Sequence, residues 1–496
     1  MKNSVWIKSI LIFLAGGITT FAYAPWYFVF ILPLTLSLLF FYINTATSKK
    51  WAFVFGFLFG YAFGLGSMFW IANVTLVDTK VFSFFTILLP IVMAFIFAMF
   101  FAMPAFMSLF APAGAKRLLA WAGWFTLFEW VRSWLFTGFP WNALGASWTG
   151  FLPVLQTVSL VGVYGLTLVT ILLCSVFALG KNSKCIPVAI SAFLLITVLG
   201  WLRLLNAHTD NVIGVNLRLV QPSTPQTYKW DETKKEENVR QLVRLSARKN
   251  DAVTHAIFPE TAASFFVDQE HWKRANLIPA VPQNGYLITG GMRMPTNEYD
   301  ISYNSVFVID GNSSNIVSHY DKFHLVPFGE YVPKPFKFLV RNKLIHAAPD
   351  FLEGPGPQTV KIPKAPPASI LICYEIIFSG QVVDKKNRPE WIINVTNDGW
   401  YGNTHQPAQH FGMAVLRAVE EGLPVVRVAN NGLSGVIDAY GRIVAKTELN
   451  QIVALDSPLP KSAEKTLFSM FGNKIPVILA IICILFSFKK KKTLDK

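Results

Sequence analysis

The 496 residues carry 53% hydrophobic side chains, 15% aromatic among them, against 15% charged, and the mean hydropathy is +0.42. That excludes an ordinary soluble protein and points to membrane spans. A formal net charge of +15 raises the question of nucleic-acid binding, but the surplus sits in loops between apolar segments, and that reading loses its support.

A span needs roughly 20 apolar residues. Eight candidates follow in chain order: 6–24, 27–44, 51–74, 83–111, 118–136, 152–180, 185–204 and 467–488. The first also reads as a signal peptide, because Lys2 and Lys8 precede an apolar run ending in Ala22-Tyr23-Ala24. Pro25 directly after the cut, and the spans that follow at once, argue for retention.

With a cytoplasmic N-terminus, the inside segments collect Lys2, Lys8, Lys49, Lys50, Lys116, Arg117, Lys181, Lys184, Lys489 to Lys492 and Lys496, opposed by Asp495 alone. The other short loops hold little beyond Lys80 and Arg132, so the pattern obeys the positive-inside rule. The predicted organisation is a seven-helix membrane domain over 1–204, a polar domain over 205–466 on the outer side, and a last helix with a basic cytoplasmic tail over 467–496. In a bacterium the outer side of the inner membrane is the periplasm. Glu129 and Arg132 lie three apart near the outer surface, placed either to pair with each other or to meet a lipid headgroup.

At about 260 residues the polar stretch can bury a full core as one domain. Strand-like runs recur at Val215 to Val220, Ala256 to Phe258, Tyr286 to Thr289, Ser305 to Ile309, Ile370 to Cys373, Trp391 to Val395, Val425 to Ala429 and Gly435 to Asp438. Helical stretches at Thr233 to Lys249 and Gln406 to Glu421 fall between them. The second carries Phe411, Val415, Ala418 and Val419 on one stripe, as a helix packed on a sheet does. Asp310-Gly311-Asn312 and Tyr440-Gly441-Arg442 read as hairpin turns. The pattern predicts a layered α/β or α+β domain.

Cys373 is the only cysteine of that domain; Cys174, Cys185 and Cys483 lie in or beside spans. An unpaired thiol is unusual in an oxidising compartment. Three strand ends deliver ionisable groups: Phe258-Pro259-Glu260-Thr261, Tyr320-Asp321-Lys322-Phe323 and Cys373-Tyr374-Glu375. A thiol attacks as thiolate and needs a base, a role Glu260 can fill. The tetrahedral intermediate that follows carries a negative oxygen, which an ammonium such as Lys322 stabilises. Taken singly, Glu260 and Lys322 also read as ordinary surface charges, and Cys373 as a buried core thiol.

Metal chemistry finds no support. His319 with His324, and His405 with His410, are spaced by five, which does not stack two ligands on a helix face, and they read as loop or capping residues. Gly290-Gly291 and Gly354-Pro355-Gly356 read as turns.

Phe-Pro-Glu-Thr-Ala from 258, Asp-Lys-Phe-His-Leu-Val-Pro-Phe-Gly-Glu-Tyr-Val-Pro from 321, Ile-Cys-Tyr-Glu from 372 and Asn-Asp-Gly-Trp-Tyr-Gly from 397 occur in that order. This series resembles the nitrilase superfamily with its Glu-Lys-Cys triad. Glu129-Trp130-Val131-Arg132 and Thr137 to Asn142 in the membrane part extend the resemblance over essentially the full length to the apolipoprotein N-acyltransferase family.

The resemblance implies an αββα sandwich outside the membrane, Glu260 as general base, Lys322 as oxyanion stabiliser, Cys373 as nucleophile and Glu330 as a second essential glutamate. Tyr374 and Glu375 carry over as pocket residues; on an extended run Cys373 and Glu375 would share one side and Tyr374 would face away. Trp230 matches a tryptophan on a loop over the pocket, with plain loop packing as the alternative. Asn304 and Arg341 carry over as substrate-binding residues.

The implied reaction is ping-pong transfer of an acyl chain from a glycerophospholipid, through a thioester on Cys373, to the α-amine of a diacylglyceryl-modified apolipoprotein. It calls for no cofactor, metal or nucleic acid, and a monomer in the bilayer is expected. Phe265-Phe266 and Phe336-Lys337-Phe338 either rest on the membrane or pack in the core. A membrane-tethered nitrilase or amidase acting on a small nitrogen compound would need one anchoring helix, and eight are excessive. A transporter would place ionisable residues in several spans, and apart from Glu129 and Arg132 these are nearly free of them.

Overall fold

The computed structural model describes residues 2–77, 83–247, 252–295, 301–334 and 350–489. Arg341 and Phe336-Lys337-Phe338 lie outside the described residues. The chain forms two compact units, one from 1–69, 87–206 and 466–496, the other from 70–86 and 207–465.

The first unit is helical. Among the described residues, five helices are long and apolar enough to cross a membrane: Val5–Ala22, Lys49–Leu76, Thr86–Ser108, Val158–Leu179 and Cys185–Leu205. Val29–Asn44 and Lys474–Phe488 are apolar but shorter, and Ala115–Arg132 is a helix carrying four charged residues, Lys116, Arg117, Glu129 and Arg132. Two expected spans are interrupted. The stretch 467–488 divides at Gly472, whose φ of 59° no α-helix accommodates, and 152–180 divides into Leu152–Leu155 and Val158–Ser175, the latter kinked at Gly162 with φ 69°.

Close helix packing follows from small residues. Gly56, Gly60 and Gly64 recur every fourth position on Lys49–Met68, and a Cβ at Gly56 would lie 2.7 Å from the Phe101 carbonyl oxygen of Ser83–Ser108. Ala94, Ala98 and Ala105 are the facing residues, so two backbones meet where lipid supplies no hydrophobic drive.

Glu129 and Arg132 turn out to be structural. They lie 3.8 Å apart, both buried. Arg132 donates to the carbonyls of Phe139 and Trp141, while Glu129 accepts from the Leu144 amide and the Thr167 hydroxyl. The pair fastens the segment after its own helix.

The second unit is built on two sheets. Its strands are β1 (Asn211–Gln221), β2 (His255–Ile257), β3 (Ala263–Phe266), β4 (Tyr286–Arg293), β5 (Ile301–Asp310), β6 (Ile316–Asp321), β7 (Asp350–Phe351), β8 (Thr359–Val360), β9 (Ala368–Ile372), β10 (Trp391–Thr396), β11 (Val425–Ala429), β12 (Gly435–Ile437), β13 (Ile443–Lys446) and β14 (Val453–Pro460). One sheet runs β14-β1-β2-β4-β5-β6, with β3 and β7 pairing β4 and β5; the other runs β13-β12-β11-β10-β9-β8. The central strands β1, β2 and β4, and β9, β10 and β11, are parallel. Both expected hairpins form, β5 to β6 and β12 to β13.

Strand alternation explains the layering. Leu217, Leu219, Ile257, Ile288 and Val306 of the first sheet meet Ile370, Ile372, Ile393, Val395 and Val428 of the second in one core. The opposite side of the first sheet, with Val220, Ala256 and Phe307, packs on Leu242 of the Lys235–Ser246 helix and on Leu277. Phe265 belongs to this second core, which settles the choice left open for it in favour of packing.

The Gln406–Glu421 helix packs on β11 and is buried along nearly its whole length, on every face and not on one stripe. Residues 70–86, read from sequence as the end of the 51–74 span, the loop after it and the start of the 83–111 span, belong to this unit, where Trp70 meets the Tyr401 ring edge-on with centroids 4.9 Å apart.

Candidate active site

Parallel strands end at one side of a sheet, and the ionisable strand ends lie there. Glu260 follows β2 in a turn where Thr261 has φ 42°. Gly290 of β4 makes room for it: a Cβ there would lie 2.5 Å from both the Pro259 oxygen and the Thr261 nitrogen. Gly290 and Gly291 are thus strand residues, not a turn, and their missing side chains let the Glu260 loop lie against the sheet.

Lys322 follows β6 and is pinned at both ends of its backbone, its N–H donating to Asn304 O (2.9 Å) and its carbonyl accepting from Gly354 N (2.8 Å). Its side chain is 1% exposed. Nζ donates to Glu330 Oε1 at 2.9 Å and lies 2.8 Å from Oε2 and 3.6 Å from Glu260 Oε1. Burial lowers the ammonium pKa, but Glu330 and then Glu260 outweigh it and hold the group above the usual lysine range.

Asn304 of β5 ties the two carboxylates together, its amide nitrogen donating to Glu260 (2.8 Å) and Glu330 (3.1 Å). Glu330 also accepts from the Val326 amide at 2.8 Å. The Asn304 Oδ1 and the Trp230 Nε1 are buried without a hydrogen-bond partner among the described residues.

Cys373 is not the last residue of an extended run. It opens a 3-10 turn, Cys373–Ile377, with φ 52°, a left-handed conformation that costs a residue with a Cβ about 1 kcal/mol or more. Burial pushes its thiol up to about 12; Glu260 adds to that shift, and Lys322 and a hydrogen bond with Thr396 oppose it.

The turn corrects the expected alternation. Glu375 points back at the backbone, accepting from Ile372 N (2.7 Å), Phe323 N (2.9 Å), His324 N (3.1 Å) and the Tyr320 hydroxyl (2.9 Å). It therefore braces the Cys373 turn against the segment after Lys322. Burial raises its carboxyl to about 7, against the pull of those amides. Tyr374 packs edge-on to Phe378 and His324.

We expect Glu375→Gln to lower stability by about 2 kcal/mol or more, since an amide nitrogen cannot accept from a buried N–H. A thermal melt of the detergent-solubilised protein measures it, and an unchanged midpoint would remove Glu375 as a brace.

Sequence reasoning missed several groups. Lys229, beside Trp230, is buried, and its Nζ donates to the Glu260 carbonyl oxygen at 2.7 Å; burial lowers its amine to about 8, while Glu260 and Cys373 pull the other way. Tyr401 lies where the charges of Cys373, Asp398 and Glu260 act on it, though burial is the main cause of its raised pKa. Asp398 and His410, with Arg427 of β11, form a buried cluster behind Cys373. Arg427 Nη2 donates to Asp398 Oδ2 at 2.8 Å, and His410 Nδ1 lies 2.9 Å from Asp398 Oδ1. His410 is thus an interior helix residue and not the loop or capping histidine its spacing suggested. Lys229 had a signal in its neighbour Trp230; Arg427 had only an arginine inside an otherwise apolar strand run.

Comparison with known proteins finds two family matches along the chain. Residues 15–176 match the family described as apolipoprotein N-acyltransferase N-terminal domain, and residues 216–459 match carbon-nitrogen hydrolase. An apolipoprotein N-acyltransferase of Rhodopseudomonas palustris is 34% identical, covering 98% of this chain and 96% of its own. One from Rickettsia typhi is 35% identical, covering 96% and 97%. A solved amidase of the nitrilase superfamily from Nesterenkonia aligns with 51% of this chain and 94% of its own at 15% identity and a TM-score of 0.37.

Proposed function

The chain belongs to the apolipoprotein N-acyltransferase family, and from that premise we propose that it transfers a fatty acyl chain from a membrane glycerophospholipid to the free α-amine of the diacylglyceryl-cysteine at the start of an apolipoprotein. The observation that carries the mechanism is the meeting of Glu260, Glu330, Asn304 and the Lys322 ammonium in one hydrogen-bonded and ion-paired group.

Glu260 takes the thiol proton as Cys373 sulfur attacks the ester carbonyl, and Lys322 faces the oxyanion. On collapse the C–O bond to glycerol breaks, Glu260 returns the proton to the departing oxygen, and a lysophospholipid leaves behind a thioester. The lipoprotein amine then attacks, its proton passes through Glu260 to the thiolate, and the C–S bond breaks to give an amide. Glu330 keeps Lys322 charged and aimed.

Burial holds the resting thiol in its protonated form, so the attack on the ester needs the base that Glu260 supplies. We place this unit on the periplasmic face of the inner membrane, with both termini cytoplasmic and eight crossings. The basic inside segments support the orientation.

Membranes incubated with acyl-labelled phospholipid test the reading. The protein should acquire a hydroxylamine-sensitive label that chases into apolipoprotein as an amide. No label, or label surviving Cys373→Ala, would sink the acyl-enzyme.

A further inference from the structure

The peptide unit linking Cys373 to Tyr374 is held from behind. The Cys373 carbonyl oxygen lies 3.2 Å from His410 Nε2 and accepts from Asn394 Nδ2 at 3.4 Å. A carbonyl only accepts, so His410 Nε2 carries its proton in either charge state. Both groups sit on the helix side of the second sheet: Asn394 lies between Ile393 and Val395, which face the inter-sheet core, and His410 is on Gln406–Glu421.

The donors are themselves fixed. Arg427 donates to Asn394 Oδ1 and to Asp398 Oδ2, and its Nη2 lies 3.1 Å from His410 Nδ1. His410, Asp398 and Arg427 are all essentially inaccessible to solvent.

In a planar trans peptide the C=O and the following N–H point in opposite directions. Drawing the Cys373 oxygen toward the helix layer turns the Tyr374 N–H away from it, toward the side from which Glu260 and Lys322 arrive off the first sheet. The left-handed φ of Cys373 makes this orientation one that the backbone would not hold unaided.

We propose that His410 and Asn394, keyed by Arg427 and Asp398, are positioning residues for acyl transfer: by fixing the Cys373 carbonyl they fix the Tyr374 amide as a second donor to the oxyanion beside Lys322. The assignment rests on the acyl-enzyme reading above. It makes the buried cluster part of the chemistry without touching substrate.

The two chemistries of one thiol separate positioning from folding. Alkylation of Cys373 by iodoacetamide displaces iodide and forms no oxyanion, whereas acylation by phospholipid does. In His410→Phe, which keeps a ring and removes the donor, acylation should slow by about tenfold to a hundredfold, at the lower end of the effect of deleting an oxyanion donor. Alkylation should stay within about twofold, and His410→Gln, which retains an N–H, should recover part of the acylation rate.

Asn394→Ala supplies the same comparison should the histidine variant fail to insert. Equal losses in both reactions, or no loss in acylation, would overturn the proposal. Wild-type protein that takes no acyl label at all would overturn the acyl-enzyme reading, and this inference with it.

Discussion

Lys322→Met should reduce acyl-enzyme formation by at least about a thousandfold while the protein still accumulates in the membrane. Loss of one oxyanion donor costs about 10²–10³ in rate, and here the donor is a full charge. The substitution also leaves Glu260 and Glu330, both bonded to Asn304, without the cation between them. Those carboxylates hold the ammonium above the ordinary lysine range. A raised lysine pKa contributes stability fully below the unfolded value, and that contribution fades only as pH climbs through the higher folded one. The wild-type contribution is therefore constant across any workable pH. Quantifying label per protein in membranes decides it, and normal transfer by the variant would remove Lys322 from the mechanism.

Glu260→Gln should slow acylation by about 10²–10⁴, the range for a lost general base. The glutamine oxygen can still accept from Asn304, so the loss is chemical more than geometric. The pH profile carries the sharper signature. Without a base the reaction must start from preformed thiolate, and burial holds the thiol near 12. Removing the Glu260 charge lowers that value, since Glu260 is one of the groups raising it. The variant rate should then climb about tenfold per pH unit through the neutral and mildly alkaline range. A flat profile parallel to wild type would show that Glu260 is not the proton acceptor.

The parts of the site legible in the sequence are those lying just past a strand. Glu260 and Cys373 each follow an apolar β-type run and Lys322 follows a strand of mixed polarity, and the structure gathers Glu260 and Lys322 around Asn304. Glu330 was legible only through the family motif around it. The conformation at Cys373 was not legible, because a left-handed cysteine is imposed by tertiary contacts such as the Glu375 brace and the His410 and Asn394 donors. A helix buried on all sides hides its polar residues from any periodicity argument. Arg427 and Asn394 pair across neighbouring strands β10 and β11, and only the register brings them together.

Trp70 packed on Tyr401 has a consequence for how the protein is made. The unit that holds Cys373 is discontinuous along the chain: residues 70–86 are synthesised more than a hundred residues before β1. A ribosome delivers that early strip while its partner Tyr401 is still untranslated. Maturation of the surroundings of Cys373 is thus tied to completion of almost the whole polypeptide, and the excised span 207–465 would carry Glu260, Lys322 and Cys373 without the strip that packs on Tyr401.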